Sequence, residues 1–75
     1  LSLQPNPAST SIEVTGLYNG GTSTITLRDL TGKVIEVQQT NASTTSFDLS
    51  KLSSGSYLIE LTDNFGTQQQ KFVKL

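Results

Sequence analysis

The chain has no cysteine, no histidine, no methionine and no tryptophan. Without cysteine there are no disulfides and no thiolate metal site. Without histidine as well, the common zinc ligand sets and any histidine-based catalytic site are excluded. Charge is scarce and scattered, with a formal net charge of −1. No basic stripe is present of the kind electrostatic nucleic-acid binding needs. No apolar run is long enough to span a membrane. No cofactor is implied. What is abundant is Ser, Thr, Asn, Gln and Gly, with β-branched residues in short alternating runs. That composition points to an all-β domain rather than to disorder. At 75 residues the chain holds one small domain, whose core is marginal, so nearly every inward apolar residue counts. It begins at Leu1 rather than Met and shows no signal peptide, so it reads as a piece of a longer protein.

The strongest local signal is Asp29-Leu30-Thr31-Gly32-Lys33, with apolar alternation on both sides. Asp29 suits an Asx-turn, Leu30 and Thr31 the centre of a type I turn, and Gly32 the left-handed position that closes it. This three-residue hairpin loop pairs Asp29 with Lys33, Leu27 with Ile35 and Ile25 with Val37. It also sets Thr26 against Glu36 on the opposite face.

Around this hairpin the chain reads as a series of short strands. Leu1 to Gln4 is an edge strand stopped by Pro5-Asn6-Pro7. Ser11 to Thr15 turns Ile12 and Val14 inward. Gly16 to Gly21 is a loop with an Asn19-Gly20-Gly21 tip, from which Leu17 and Tyr18 tuck back. Asn41-Ala42-Ser43 falls in a polar loop and matches the N-glycosylation pattern, a short motif that arises often by chance. Thr45 to Leu49 carries Phe47 and Leu49 inward, and Leu52 plugs the turn that follows. Tyr57, Ile59 and Leu61 alternate inward along the next strand. Asp63-Asn64-Phe65-Gly66 leads into a last strand from Gln68 to Leu75. Repeating the first turn there would pair Tyr57 with Val73 and put Lys71 on the core face, so a bulge or another loop type is required. The architecture expected is a small immunoglobulin-like β-sandwich of about seven short antiparallel strands, with a small barrel the alternative.

Few residues suggest chemistry. Asp29 and Asp63 sit in turns that they cap, Asp48 lies beside a strand end, and Glu13, Glu36 and Glu60 alternate outward. Nothing implies a cleft in which two carboxylates could face each other, so no catalytic residues are assigned and the domain is read as non-enzymatic. The Asp-x-x-Gly turns offer too few oxygen ligands for calcium, and no metal site is assigned. Phe65, at a turn tip, is the one aromatic that stands out as exposed. Lys71-Phe72-Val73-Lys74-Leu75 is either a terminal strand with lysines guarding its edge or an exposed recognition tail.

Taken in order, the punctuation is Pro5-Asn6-Pro7-Ala8, Asp29-Leu30-Thr31-Gly32-Lys33-Val34, Leu52-Ser53-Ser54-Gly55-Ser56-Tyr57 and Lys71-Phe72-Val73-Lys74. This resembles the C-terminal sorting domain, type A, of proteins exported by the type IX (Por) secretion system of Bacteroidota. The likeness covers essentially the whole chain. By analogy Asn6 and Pro7 match the first motif, Asp29, Gly32 and Lys33 the second, and Gly55 and Tyr57 the third, while Lys71 to Lys74 match the basic, apolar tail. The resemblance implies an address label. The parent protein would enter the periplasm by its own signal peptide and cross the outer membrane through the type IX translocon. A surface sortase would then remove the label, leaving the cargo at the cell surface or in the medium. Two rival readings are a C-terminal carbohydrate-binding or adhesion module using Phe65 with surface Tyr or Asn residues, and a spacer domain of a secreted enzyme. The isolated domain is expected to be mainly monomeric, with some strand-swapped dimer hinged near Gly20-Gly21.

Overall fold

Alternation with period two builds seven strands and no helix, in a computed structural model that describes residues 1–18 and 20–75. Asn19, part of the expected loop tip, lies outside the described residues. The strands are β1 (Ser2–Gln4), β2 (Ser11–Thr15), β3 (Ser23–Asp29), β4 (Val34–Thr40), β5 (Thr45–Asp48), β6 (Gly55–Asp63) and β7 (Gly66–Lys74). They form an antiparallel sheet β1-β2-β5 and a second, β4-β3-β6-β7. The first sheet buries Leu3, Ile12, Val14 and Phe47, and the second buries Ile25, Leu27, Tyr57, Ile59, Leu61 and Phe72. Ala8, Leu17 and Leu49 close the core, with Leu1 and Leu52 packed partly against it. The architecture is thus the expected sandwich. Tyr18, however, remains exposed beside the buried Leu17.

The turn chemistry of the β3–β4 hairpin is as expected. Asp29 Oδ1 accepts the Thr31 N–H at 2.9 Å, the Thr31 hydroxyl at 2.6 Å and the Lys33 N–H at 3.0 Å. The Asp29 N–H donates to the Lys33 carbonyl at 3.0 Å, and Gly32 stands at φ 93°. The strand register beyond it differs. Arg28 lies opposite Val34, but Leu27 lies opposite Glu36, Thr26 opposite Val37 and Ile25 opposite Gln38. A bulge at Ile35 therefore corrects the expected Leu27–Ile35, Ile25–Val37 and Thr26–Glu36 pairs. Its cause lies under the strand. β4 overhangs the edge of the sandwich beside β5, where Gln38 donates to the Ser46 carbonyl at 2.9 Å and accepts from the Thr45 hydroxyl. The bulge turns Glu36 and Gln38 toward this polar seam and leaves Val34, Ile35 and Val37 exposed on an edge.

A Cβ built on Gly32 meets nothing within 4 Å, so only the left-handed backbone opposes substitution there. Gly32→Val is expected to cost about 1–3 kcal/mol and Gly32→Asn less. Equal melting temperatures for both variants and the parent would contradict the turn.

The last hairpin resolves the register problem with another loop type. Asp63 pairs with Gly66 across the two-residue loop Asn64-Phe65. Asp63 Oδ1 caps the Phe65 N–H at 2.8 Å, and Gly66, at φ 123°, takes the strained backbone. Tyr57 then faces Phe72, Leu58 faces Lys71 and Ile59 faces Gln70. Phe72 enters the core and Lys71 faces solvent. The pairs Tyr57–Val73 and Ile59–Lys71 do not form.

Candidate functional site

The motif stretches are separated in sequence and meet at one end of the sandwich. β3 and β6 bring Asp29 opposite Tyr57. β6 and β7 bring Tyr57 opposite Phe72 and Gly55 opposite Lys74. The Pro5–Ala8 segment then runs along the outer edge of β7. Ala8 bridges Lys74 in parallel, its N–H donating to the Val73 carbonyl at 2.8 Å and its carbonyl accepting from the Leu75 N–H at 2.7 Å. Asn6 Oδ1 accepts the Val73 N–H at 3.1 Å. The first motif thus covers the tail's free hydrogen-bonding edge, a contact between residues 67 apart that local patterning does not reveal.

Several motif residues have structural tasks here. Tyr57 stacks on Phe72 with ring centroids 5.8 Å apart, and its hydroxyl donates to the Ser53 carbonyl at 2.7 Å. This bond holds the turn just before Gly55. Arg28, which sequence reasoning did not single out, ties the second motif down. Its Nη1 donates to the Gly32 carbonyl at 2.9 Å, and its Nη2 pairs with Glu60 at 3.3 Å. Of the tail residues, Phe72 is core and is not displayed at the surface. Lys71, Val73 and Leu75 are exposed and Lys74 is half-buried, its ammonium donating to the Leu75 carbonyl at 2.8 Å. Asn6, Pro7, Gly32, Lys33 and Gly55 are all exposed, while Asp29 is half-exposed. The end of the sandwich therefore displays lysines and turn backbone around a buried Tyr57–Phe72 pair. Phe65 is 76% exposed at the opposite end and packs edge-on against Tyr18, at 5.0 Å and 88°. The two rings form a corner rather than a flat sugar platform. Among the described residues the surface holds no pocket.

Three carboxylates are held below their ordinary range. Asp29 is lowered chiefly by the Thr31 hydroxyl and then by backbone N–H donors, Asp48 by the Ser50 N–H and hydroxyl, and Glu60 by Gln69 and then Arg28. Glu60 is thus paired and half-buried rather than freely solvated. Because their folded pKa values are depressed, their contribution is complete above the ordinary values of 3.8 for Asp and 4.5 for Glu. It is lost as pH falls through the lowered values. The melting temperature is expected to be flat above about pH 5 and to drop below about pH 4, less steeply in Asp29→Asn. A melting temperature unchanged between pH 6 and pH 3 would contradict this.

In this small two-sheet sandwich the distant motifs converge beside the last strand, β7. The chain belongs to the secretion system C-terminal sorting domain family, whose model matches residues 2–75. Such a domain is the sorting signal of type IX secretion in Bacteroidota. It engages that secretion system and directs export to the cell surface or extracellular space. The fold matches part of the solved structure of PorZ from Porphyromonas gingivalis, described as an essential surface component of the type IX secretion system, with a TM-score of 0.86 and 16% sequence identity. That match covers 99% of this chain and 11% of PorZ, so the chain spans about a tenth of the structure it resembles. No curated protein matches the sequence.

Proposed function

We propose that this domain is the C-terminal label of a longer secreted protein, and that the secretion machinery reads it, folded, at the motif end. The label itself performs no catalysis. The cargo crosses the periplasm, passes the outer membrane through the type IX translocon, and loses the label to a surface sortase. The observation that carries the reading is the convergence of the four motifs on one end, fastened by Asn6 and Ala8 to the tail.

The test fuses a periplasmic reporter ahead of residues 1–75 in a host with a type IX system. The reporter is expected at the cell surface or in the medium, with the label cut away. Retention of the reporter in the periplasm would overturn the sorting assignment. Export with the label still attached would overturn only the sortase step.

A further inference from the structure

The two edges of the four-stranded sheet differ. β7 carries Lys71 and Lys74, and the Asn6–Ala8 segment covers its C-terminal end from Val73 to Leu75. β4 carries no lysine, and among the described residues no segment pairs with its outer edge; its one charge is Glu36. Val34 is 46% exposed, Ile35 37% and Val37 52%, with Leu30 exposed in the adjoining turn. In an antiparallel ladder every second residue of an edge strand turns its N–H and C=O outward, so this edge is also an open hydrogen-bonding template.

We propose that β4 is a homotypic interface, through which two copies of the domain pair antiparallel and join their sheets into one of eight strands. The open backbone calls for a strand, and the bulge selects which strand. It places Val34 and Val37, three residues apart, opposite Arg28 and Thr26 on the same outer face. A regular strand presents every second residue to one face and falls out of step across that spacing. A second β4 carries the same break. With Val34 of one copy opposite Val37 of the other, the two-fold axis repeats the pair and sets Ile35 against Glu36 on both sides. Charge fits the same register. Lys33 and Glu36 lie on the inner side with Asp29 and Leu27. Lys33 then faces Gln38 of the second copy and stands diagonal to its Glu36, close enough for oppositely charged side chains to meet. Among the described residues Lys33 forms no ion pair within its own chain. So short an edge buries less than a standard interface, and the dissociation constant is expected on the order of 0.1–1 mM.

Sedimentation equilibrium of residues 1–75 from about 10 µM to about 2 mM tests this. The parent is expected to pass reversibly from monomer to dimer. Val37→Lys and, independently, Val34→Lys should raise the dissociation constant at least about tenfold with an unchanged circular dichroism spectrum. Lys33→Glu should weaken association, and Lys33→Glu combined with Glu36→Lys should restore it. A parent that stays monomeric throughout would overturn the proposal. So would a dimer that both folded valine variants still form, or one that exchanges subunits over hours as strand-swapped dimers do.

Discussion

Phe72→Ala is expected to cost about 3–5 kcal/mol and to leave much of the domain unfolded at room temperature. The side chain is 1% exposed and stacks on Tyr57 between the sheets. Removing it takes away a large buried aromatic from a core with few residues to spare. The rigid strands on either side cannot collapse to fill the space. Phe72→Leu keeps most of the volume and should cost less than half as much. Urea unfolding of the two variants beside the parent measures both. A Phe72→Ala midpoint equal to the parent's would contradict the packing. The result also governs how the tail is tested, because any export defect in a Phe72 variant would report lost structure rather than lost recognition.

Ala8→Asp is expected to cost about 2–4 kcal/mol and to release the first motif from the tail. Ala8 is fully buried, and both its N–H and its carbonyl are bonded to β7. A carboxylate there must either lose its hydration without a partner or pull the segment away from the strand. Ala8→Ser introduces a smaller polar group and should be milder. Amide exchange locates the effect. The N–H groups of Val73 and Leu75, which Asn6 and Ala8 hold, should lose protection first in Ala8→Asp. Unchanged protection at both amides would contradict the fastening.

Most of the fold is legible in the sequence because its signals are local. Alternation marks the inward residues of β2, β5 and β6, and Asp-x-x-Gly marks both hairpin turns. Ile35 shows where that logic stops. Its alternation with Leu27 is sound, but the register depends on Gln38 finding Ser46 and Thr45 under the sheet edge, a contact between elements that strand patterning does not encode. The same turn signature also gives two loop lengths. Asp29 pairs with Lys33, whereas Asp63 pairs with Gly66, and that single residue decides that Phe72 rather than Lys71 enters the core. The motif residues of the site are visible through family resemblance. Their convergence is not, because it depends on Asn6 reaching a strand at the far end of the chain.

On the proposed reading the motif end, and not merely a folded sandwich, is the feature the secretion machinery reads. The most direct measurement compares export of the same reporter fused to three versions of residues 1–75. These are the parent, Lys71→Glu with Lys74→Glu at the motif end, and Tyr18→Ser with Phe65→Ser at the opposite end. All three should melt cooperatively: Lys71, Tyr18 and Phe65 are exposed and Lys74 is half-buried, and surface substitutions usually shift stability by about 0.5 kcal/mol or less. Losing one contact at a recognition hot spot weakens binding by about 2 kcal/mol. The lysine variant is expected to accumulate inside while the aromatic variant is exported like the parent. Export of the folded lysine variant at the parent's level, with retention of the aromatic one, would contradict it.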